Sequence, residues 1–201
     1  MIVIIDYGMG NLSSVKNALE EIGVQSIISN DPKIIKESKG LILPGVGAFK
    51  EAMDNLNNLG LVDIIKEQAS KKPFLGICLG MQLLFEQGFE VEKTKGLGLL
   101  KGNVILMEDE TIKIPHIGFN KLEVNKENSL IKDNMFVYFV HSYYASDIDE
   151  NNLIAYSTYG NLKIPAIVSY DNVIGCQFHP EKSGTDGLYI LKKFKELLVW
   201  K

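Results

Sequence analysis

Ile2-Val3-Ile4-Ile5 is an unbroken β-branched run closed by Asp6 and Gly8. A strand with one wet face alternates apolar and polar residues, so a strand apolar at every position must be covered on both faces. That requirement points to a parallel sheet with helices above and below it. The next residues agree. After the turn Gly8-Met9-Gly10-Asn11, residues Leu12, Val15, Ala18, Leu19 and Ile22 recur at helical spacing, with Asn11 as N-cap and Gly23 as stop. The strand–helix unit then repeats: strand 24–28, a short helix 31–37 begun by Asp31-Pro32, strand 41–43, helical sequence from Gly47 to about Ser70 broken near Gly60, and strand 74–77. Four such units predict an α/β fold.

From about Gly102 the texture changes. Strand-like runs at 104–107, 136–140, 153–156, 166–169 and 173–177 follow one another without helices between them, which predicts mixed or antiparallel sheet. An amphipathic helix over 185–200, carrying Leu188, Leu191, Phe194 and Leu198, closes the chain. With 201 residues, 46% hydrophobic and 23% charged, one domain spanning 1–201 is expected. A formal net charge of −4 offers no basic footprint for nucleic acid. The N-terminal apolar run is too short and lacks the flanks of a signal peptide, and no run approaches the roughly 20 residues of a spanning helix. Two cysteines are too few for a disulfide framework, so a reduced, cytoplasmic protein is expected.

The sharpest chemical signal is Gly76-Ile77-Cys78-Leu79-Gly80, at the junction of strand 74–77 with a helix read through Met81-Gln82-Leu83-Leu84-Phe85. Glycines on either side of a central nucleophile permit the tight turn of a nucleophile elbow. Cys78 is expected to stand exposed at the carboxyl edge of the sheet. There the helix dipole and free amides favour the thiolate, and the Leu79 amide can stabilise an oxyanion. Without that setting Cys78 would read as a small buried hydrophobe, which is how Cys176, inside the run Val173-Ile174-Gly175-Cys176, does read.

A cysteine nucleophile needs a base, and the base an orienting group. In Gln177-Phe178-His179-Pro180-Glu181, positions i and i+2 of extended chain project to one side, so Glu181 can hold the His179 imidazole while it faces the thiol. The other two histidines, His116 and His141, are weaker candidates for that base, and each also reads as a satisfied structural residue. The loop Leu43-Pro44-Gly45-Val46-Gly47-Ala48-Phe49 leaves a strand end with glycines that let main-chain amides approach a ligand. Gly8-x-Gly10 and Gly96-x-Gly98 do not complete a dinucleotide fingerprint, and no Cys, His and carboxylate cluster has metal-ligand spacing.

These residues have a familiar order. The elbow 76–82 together with Gln177-Phe178-His179-Pro180-Glu181-Lys182-Ser183 resembles the triad-type, class I glutamine amidotransferases. More narrowly, the segments 5–15, 43–49 and Tyr138-Phe139-Val140-His141-Ser142-Tyr143-Tyr144 resemble the glutaminase-subunit family of imidazole glycerol phosphate synthase. The resemblance covers the whole chain. It implies a flavodoxin-like fold, a central mostly parallel sheet flanked by helices with an additional mixed or antiparallel portion. It further implies Cys78 as nucleophile, His179 as base then acid, Glu181 as its orienter, the Val46 and Leu79 amides as oxyanion hole, and Gly47, Gln82, Ser142 and Tyr143 as glutamine ligands. Phe119, Tyr138 and Lys182 would face a partner.

The activity so implied is hydrolysis of glutamine to glutamate and ammonia without cofactor or metal. The ammonia would pass to a separate (β/α)8 cyclase subunit, in a heterodimer making imidazole glycerol phosphate and AICAR for histidine biosynthesis. Two departures are visible: Gly118-Phe119-Asn120 where the family usually has Gly-Trp-Asn, and Gly184-Thr185-Asp186-Gly187 where a basic stretch is usual. They bear on the partner and acceptor, because related subunits amidate sugars for surface polysaccharide. Other readings of an elbow cysteine are a peptidase or chaperone of the DJ-1 kind and a silent glutamine-binding subunit.

Overall fold

The structure, a computed structural model, describes residues 1–198. The first half runs β1 (Ile2–Ile5), α1 (Leu12–Glu21), β2 (Ser26–Ser29), α2 (Pro32–Glu37), β3 (Gly40–Gly45), α3 (Phe49–Asn58), α4 (Val62–Ala69), β4 (Phe74–Cys78) and α5 (Leu79–Gln82). The second runs β5 (Gln87–Gly88), β6 (Thr94–Lys95), β7 (Asn103–Leu106), β8 (His116–Lys121), β9 (Glu123–Val124), β10 (Phe136–His141), β11 (Tyr143–Ser146), β12 (Leu153–Tyr159), β13 (Leu162–Tyr170), β14 (Val173–Cys176) and α6 (Gly184–Leu197).

Eight strands form the central sheet in the order β2-β1-β3-β4-β14-β13-β12-β9. The first five are parallel and the last three antiparallel. A two-stranded ribbon β8–β10 and a four-stranded sheet β11-β7-β5-β6 stand beside it. β1 shows why its residues are all β-branched. Ile2 and Ile4 pack with Val15 and Leu19 of α1 and Leu191 and Phe194 of α6, while Val3 and Ile5 pack with Ile35, Leu56 and Ile65 of α2, α3 and α4. All four are fully buried, each worth about 1.5–3 kcal/mol of transfer free energy. Helix starts are where the caps put them: Asn11 accepts from Ser14 N at 3.2 Å and Asp31 from Lys33 N at 2.7 Å.

Three sequence readings need correction. The elbow helix was expected through Phe85 but ends at Gln82. The carbonyls of Leu83, Leu84, Phe85 and Glu86, which a longer helix would use internally, accept instead from Leu97, Leu99, Gly98 and Gly96. Four residues sum to little dipole, so what α5 offers an anion is its free first amides. β8 went unread, because Ile117 and Phe119 alternate with a histidine and a glycine and point outward, a pattern with no apolar inner face in sequence. The closing helix was read to Trp200; it extends to Leu197, and Trp200 lies outside the described residues. Among the described residues no helix is long and apolar enough to cross a membrane.

Candidate active site

β4 brings the chain to Cys78 and α5 leads it away, through a turn that holds Cys78 at φ 54°, ψ −113°. A residue with a Cβ takes such a conformation only under constraint, at about 1–3 kcal/mol. The constraint is close backbone packing. A Cβ on Gly76 would lie 2.6 Å from Gly80 O, and one on Gly80 would overlap Leu43 O, so both flanking positions require glycine. Cys78 was expected to be exposed; it is only 6% exposed. Its sulfur nevertheless lines a pocket of about 280 Å³ with Val46, Gly47, Leu79, Gln82, Glu90, Val140, His141, Ser142 and Tyr143. A space of this size suits one amino acid better than a polypeptide.

His179 and Glu181 form the buried pair anticipated from sequence. Nδ1 lies 2.7 Å from Glu181 Oε1, with the side chains 3% and 2% exposed. The route differs from the extended spacing expected: Glu181 sits in a 3-10 turn, Pro180–Lys182, which His179 precedes. That turn is pinned to the ribbon. His179 N donates to Tyr138 O at 2.9 Å, and Ser183 Oγ donates to His179 O at 2.6 Å while accepting from Tyr138 N at 2.9 Å. With Nδ1 committed to Glu181, Nε2 is left buried and unpartnered. Burial alone would lower the His179 pKa, but the neighbouring Cys78 and Glu181 outweigh it and carry it to about 9. The thiol itself rests within 3.9 Å of Val140 O and of Gln177 Nε2.

Glu90 and Gln177 were not singled out from sequence. Glu90 stands in the pocket wall and accepts from Phe49 N at 2.6 Å; its segment has no periodicity or motif that marks it. Gln177 Oε1 accepts from Gln82 Nε2 at 3.2 Å, and the same nitrogen donates to Tyr143 O at 2.9 Å. Both amide protons of Gln82 are thereby used, leaving its carbonyl oxygen for a donor in the pocket. His116 and His141 are, as read, satisfied: Nδ1 of His116 lies 3.2 Å from Nε2 of His141, and Nδ1 of His141 lies 2.9 Å from Tyr143 O. Burial lowers their pKa values to about 4 and about 3. Cys176 is fully buried, and burial together with nearby Glu181 pushes its thiol pKa far up.

Phe119, Tyr138 and Lys182 do not reach the pocket. Phe119 and Tyr138 meet edge to face at 5.6 Å on the ribbon, Phe119 is 60% and Ile117 59% exposed, and Lys182, the last residue of the Pro180–Lys182 turn, is exposed.

The family model for class I glutamine amidotransferases matches residues 3–197. Imidazole glycerol phosphate synthase subunit HisH of Lactococcus lactis is 54% identical over 97% of this chain and 98% of its own length. The HisH subunits of Caldanaerobacter subterraneus (52%, 98% of each chain) and Aquifex aeolicus (50%, 96% of this chain and 95% of its own) are similarly close. Among solved structures, a glutamine amidotransferase superposes with a TM-score of 0.77 at 20% identity, covering 98% of this chain and 99% of its own. PurLQS from Thermotoga maritima gives 0.73 at 20% identity, with 98% of each covered; both show likeness of fold. The elbow, the pocket and these similarities together place the chain in the class I glutamine amidotransferase family, on the branch of the HisH subunits.

Proposed function

We propose that the chain hydrolyses glutamine at Cys78 and supplies the ammonia to a separate (β/α)8 subunit that makes imidazole glycerol phosphate. The observation that carries the chemistry is an elbow thiol in an amino-acid-sized pocket, adjoining a histidine raised to about 9 by that thiol and Glu181 despite its burial. The thiolate attacks the side-chain carbonyl carbon of glutamine. Negative charge builds on that oxygen, opposite the free first amide of α5 at Leu79 and the Val46 amide across the pocket. His179 then gives its Nε2 proton to the departing nitrogen, and ammonia leaves a γ-glutamyl thioester. Water, deprotonated by the same nitrogen, attacks the thioester; glutamate departs and the thiolate is restored. Glu181 keeps Nδ1 protonated and the ring aimed throughout. Gly47, Gln82, Ser142 and Tyr143 hold the glutamine, and the Glu90 carboxylate suits its α-ammonium. Cys176→Ser should keep most of this activity, measured as ammonia release, since a buried and strongly protonated thiol has no part in it.

The synthase assignment rests on the names of the HisH relatives, which favour histidine biosynthesis over sugar amidation. Ammonia set free in neutral water is protonated and lost as a nucleophile, so hydrolysis should await a docked partner. The exposed apolar face Ile117-Phe119 with Tyr138 and Lys182 is the surface we assign to it. The test is ammonia release by the chain alone, then with the cognate barrel subunit and an acceptor analogue. Stimulation of at least about tenfold is expected. Full turnover alone, with no stimulation and no stable complex, would make it a free-standing glutaminase.

A further inference from the structure

Tyr143 O is a carbonyl and can only accept, so the His141 Nδ1 that lies 2.9 Å from it carries the proton. A neutral His141 then has a bare Nε2, and the His116 Nδ1 facing it at 3.2 Å must be the donor. The two rings thus form a directed relay, His116 Nδ1–H to His141 Nε2 and His141 Nδ1–H to Tyr143 O. It starts on β8, the strand that also bears Ile117 and Phe119, and ends in the wall of the pocket. The His116 ring is clamped at its outer end between Tyr159, 3.9 Å away and stacked, and Phe139, stacked at 4.7 Å. Tyr159 is in turn anchored by its hydroxyl to Lys113 O at 2.7 Å. At the inner end, Tyr143 O also takes the bond from Gln82. The wall between, Val140 to Tyr143, includes Val140 O, 3.9 Å from the sulfur of Cys78.

We propose that the His116–His141 pair is a positioning relay that fixes the Val140–Tyr143 wall of the glutamine pocket from the β8 ribbon, without touching substrate at His116 or passing protons to it. It rests on the reading of the pocket as a glutamine site. The groups that face His141 are His116 and Tyr143, with His179, Cys78 and Glu90 also close by; the first two make its hydrogen bonds, while burial keeps it neutral against the pull of the Tyr143 carbonyl.

Two measurements test the relay. In the unaltered protein at neutral pH, side-chain nitrogen NMR should find both His116 and His141 in the Nδ1–H tautomer, and an Nε2–H tautomer at either ring would overturn the relay. The second measurement is protection by glutamine of Cys78 against a diazo-ketone glutamine analogue, read by mass spectrometry at about pH 8, where an ordinary histidine is neutral. His116→Phe keeps a ring for Tyr159 and Phe139 but leaves His141 Nε2 unpaired, and should weaken glutamine about tenfold, the scale of one buried acceptor left without its donor. His116→Asn returns a donor near the Nδ1 position and should recover most of the loss. Unchanged affinity in His116→Phe, or equal loss in both variants, would show that the Nδ1 donor does not set glutamine affinity and would end the proposal. Failure of the unaltered protein to be labelled, or to be protected by glutamine, would instead sink the glutaminase reading while leaving the tautomer result to stand.

Discussion

A Cys78→Ser protein is expected to fold like its parent and to release ammonia from glutamine at less than about a thousandth of the parent rate, the scale of losing the nucleophile of a catalytic unit. The fold should survive because the exchange is nearly isosteric at a residue with little exposure, and a hydroxyl can keep the contacts with Val140 O and Gln177. The rate should not survive. Burial alone would lower the His179 pKa, but Cys78 and Glu181 carry it to about 9, so the thiol is one of the two groups that set the proton affinity of this histidine. A serine hydroxyl has a far higher pKa and would have to be deprotonated in the same step as it attacks, while loss of the thiol removes one of the two groups that raise the His179 pKa and leaves a weaker base for the harder task. His179→Asn should lose most turnover too. Glu181→Gln should be milder, because it removes orientation and charge rather than the proton carrier. Steady-state ammonia release with a parallel thermal melt decides the matter. Cys78→Ser turnover above a few per cent of the parent's, or a Glu181→Gln loss exceeding that of His179→Asn, would contradict the assigned roles.

Gly80→Ala is expected to be the most destabilising single-methyl change at the site. The new Cβ, on α5, would overlap Leu43 O, a backbone atom of β3 in the middle of the parallel sheet, and β3 cannot retreat without breaking its ladders with β1 and β4. Overpacking against main chain costs at least about 3 kcal/mol, or roughly 6–12 °C of melting temperature for a chain of this size. Gly60→Ala is the control. That glycine has φ +65° but nothing within 4 Å of its would-be Cβ, so its cost is backbone strain alone, about 1 kcal/mol. Equal melting temperatures for the two variants would show that the elbow is not packed as described.

The parallel sheet was legible because full burial leaves a mark in a short window: four β-branched residues in a row at β1. The elbow was legible because its glycines and its nucleophile are adjacent in sequence. The His179–Glu181 contact was found, though the turn that makes it was misread, since a two-residue separation is compatible with both extended chain and 3-10 geometry. What went unread depends on distant chain. α5 stops where it does because residues 96–100 claim its next carbonyls, and Glu90, Gln177 and the histidine relay have meaning only through partners brought from elsewhere in the fold. Periodicity carries no information about such encounters.

The position of β14 has a consequence for the order in which the molecule can come into being. It is inserted between β4 and β13, pairing Gly175 with Gly76 and Cys176 with Ile77, although about a hundred residues of chain separate the two strands. During synthesis from the N-terminus, β1 to β4 can assemble early with a vacant edge, and the antiparallel portion can form afterwards. The middle of the sheet then closes only when β14 arrives, and His179 arrives directly behind it. A chain under synthesis therefore displays its thiol about a hundred residues before His179 and Glu181 are made, and ammonia release has to wait for them.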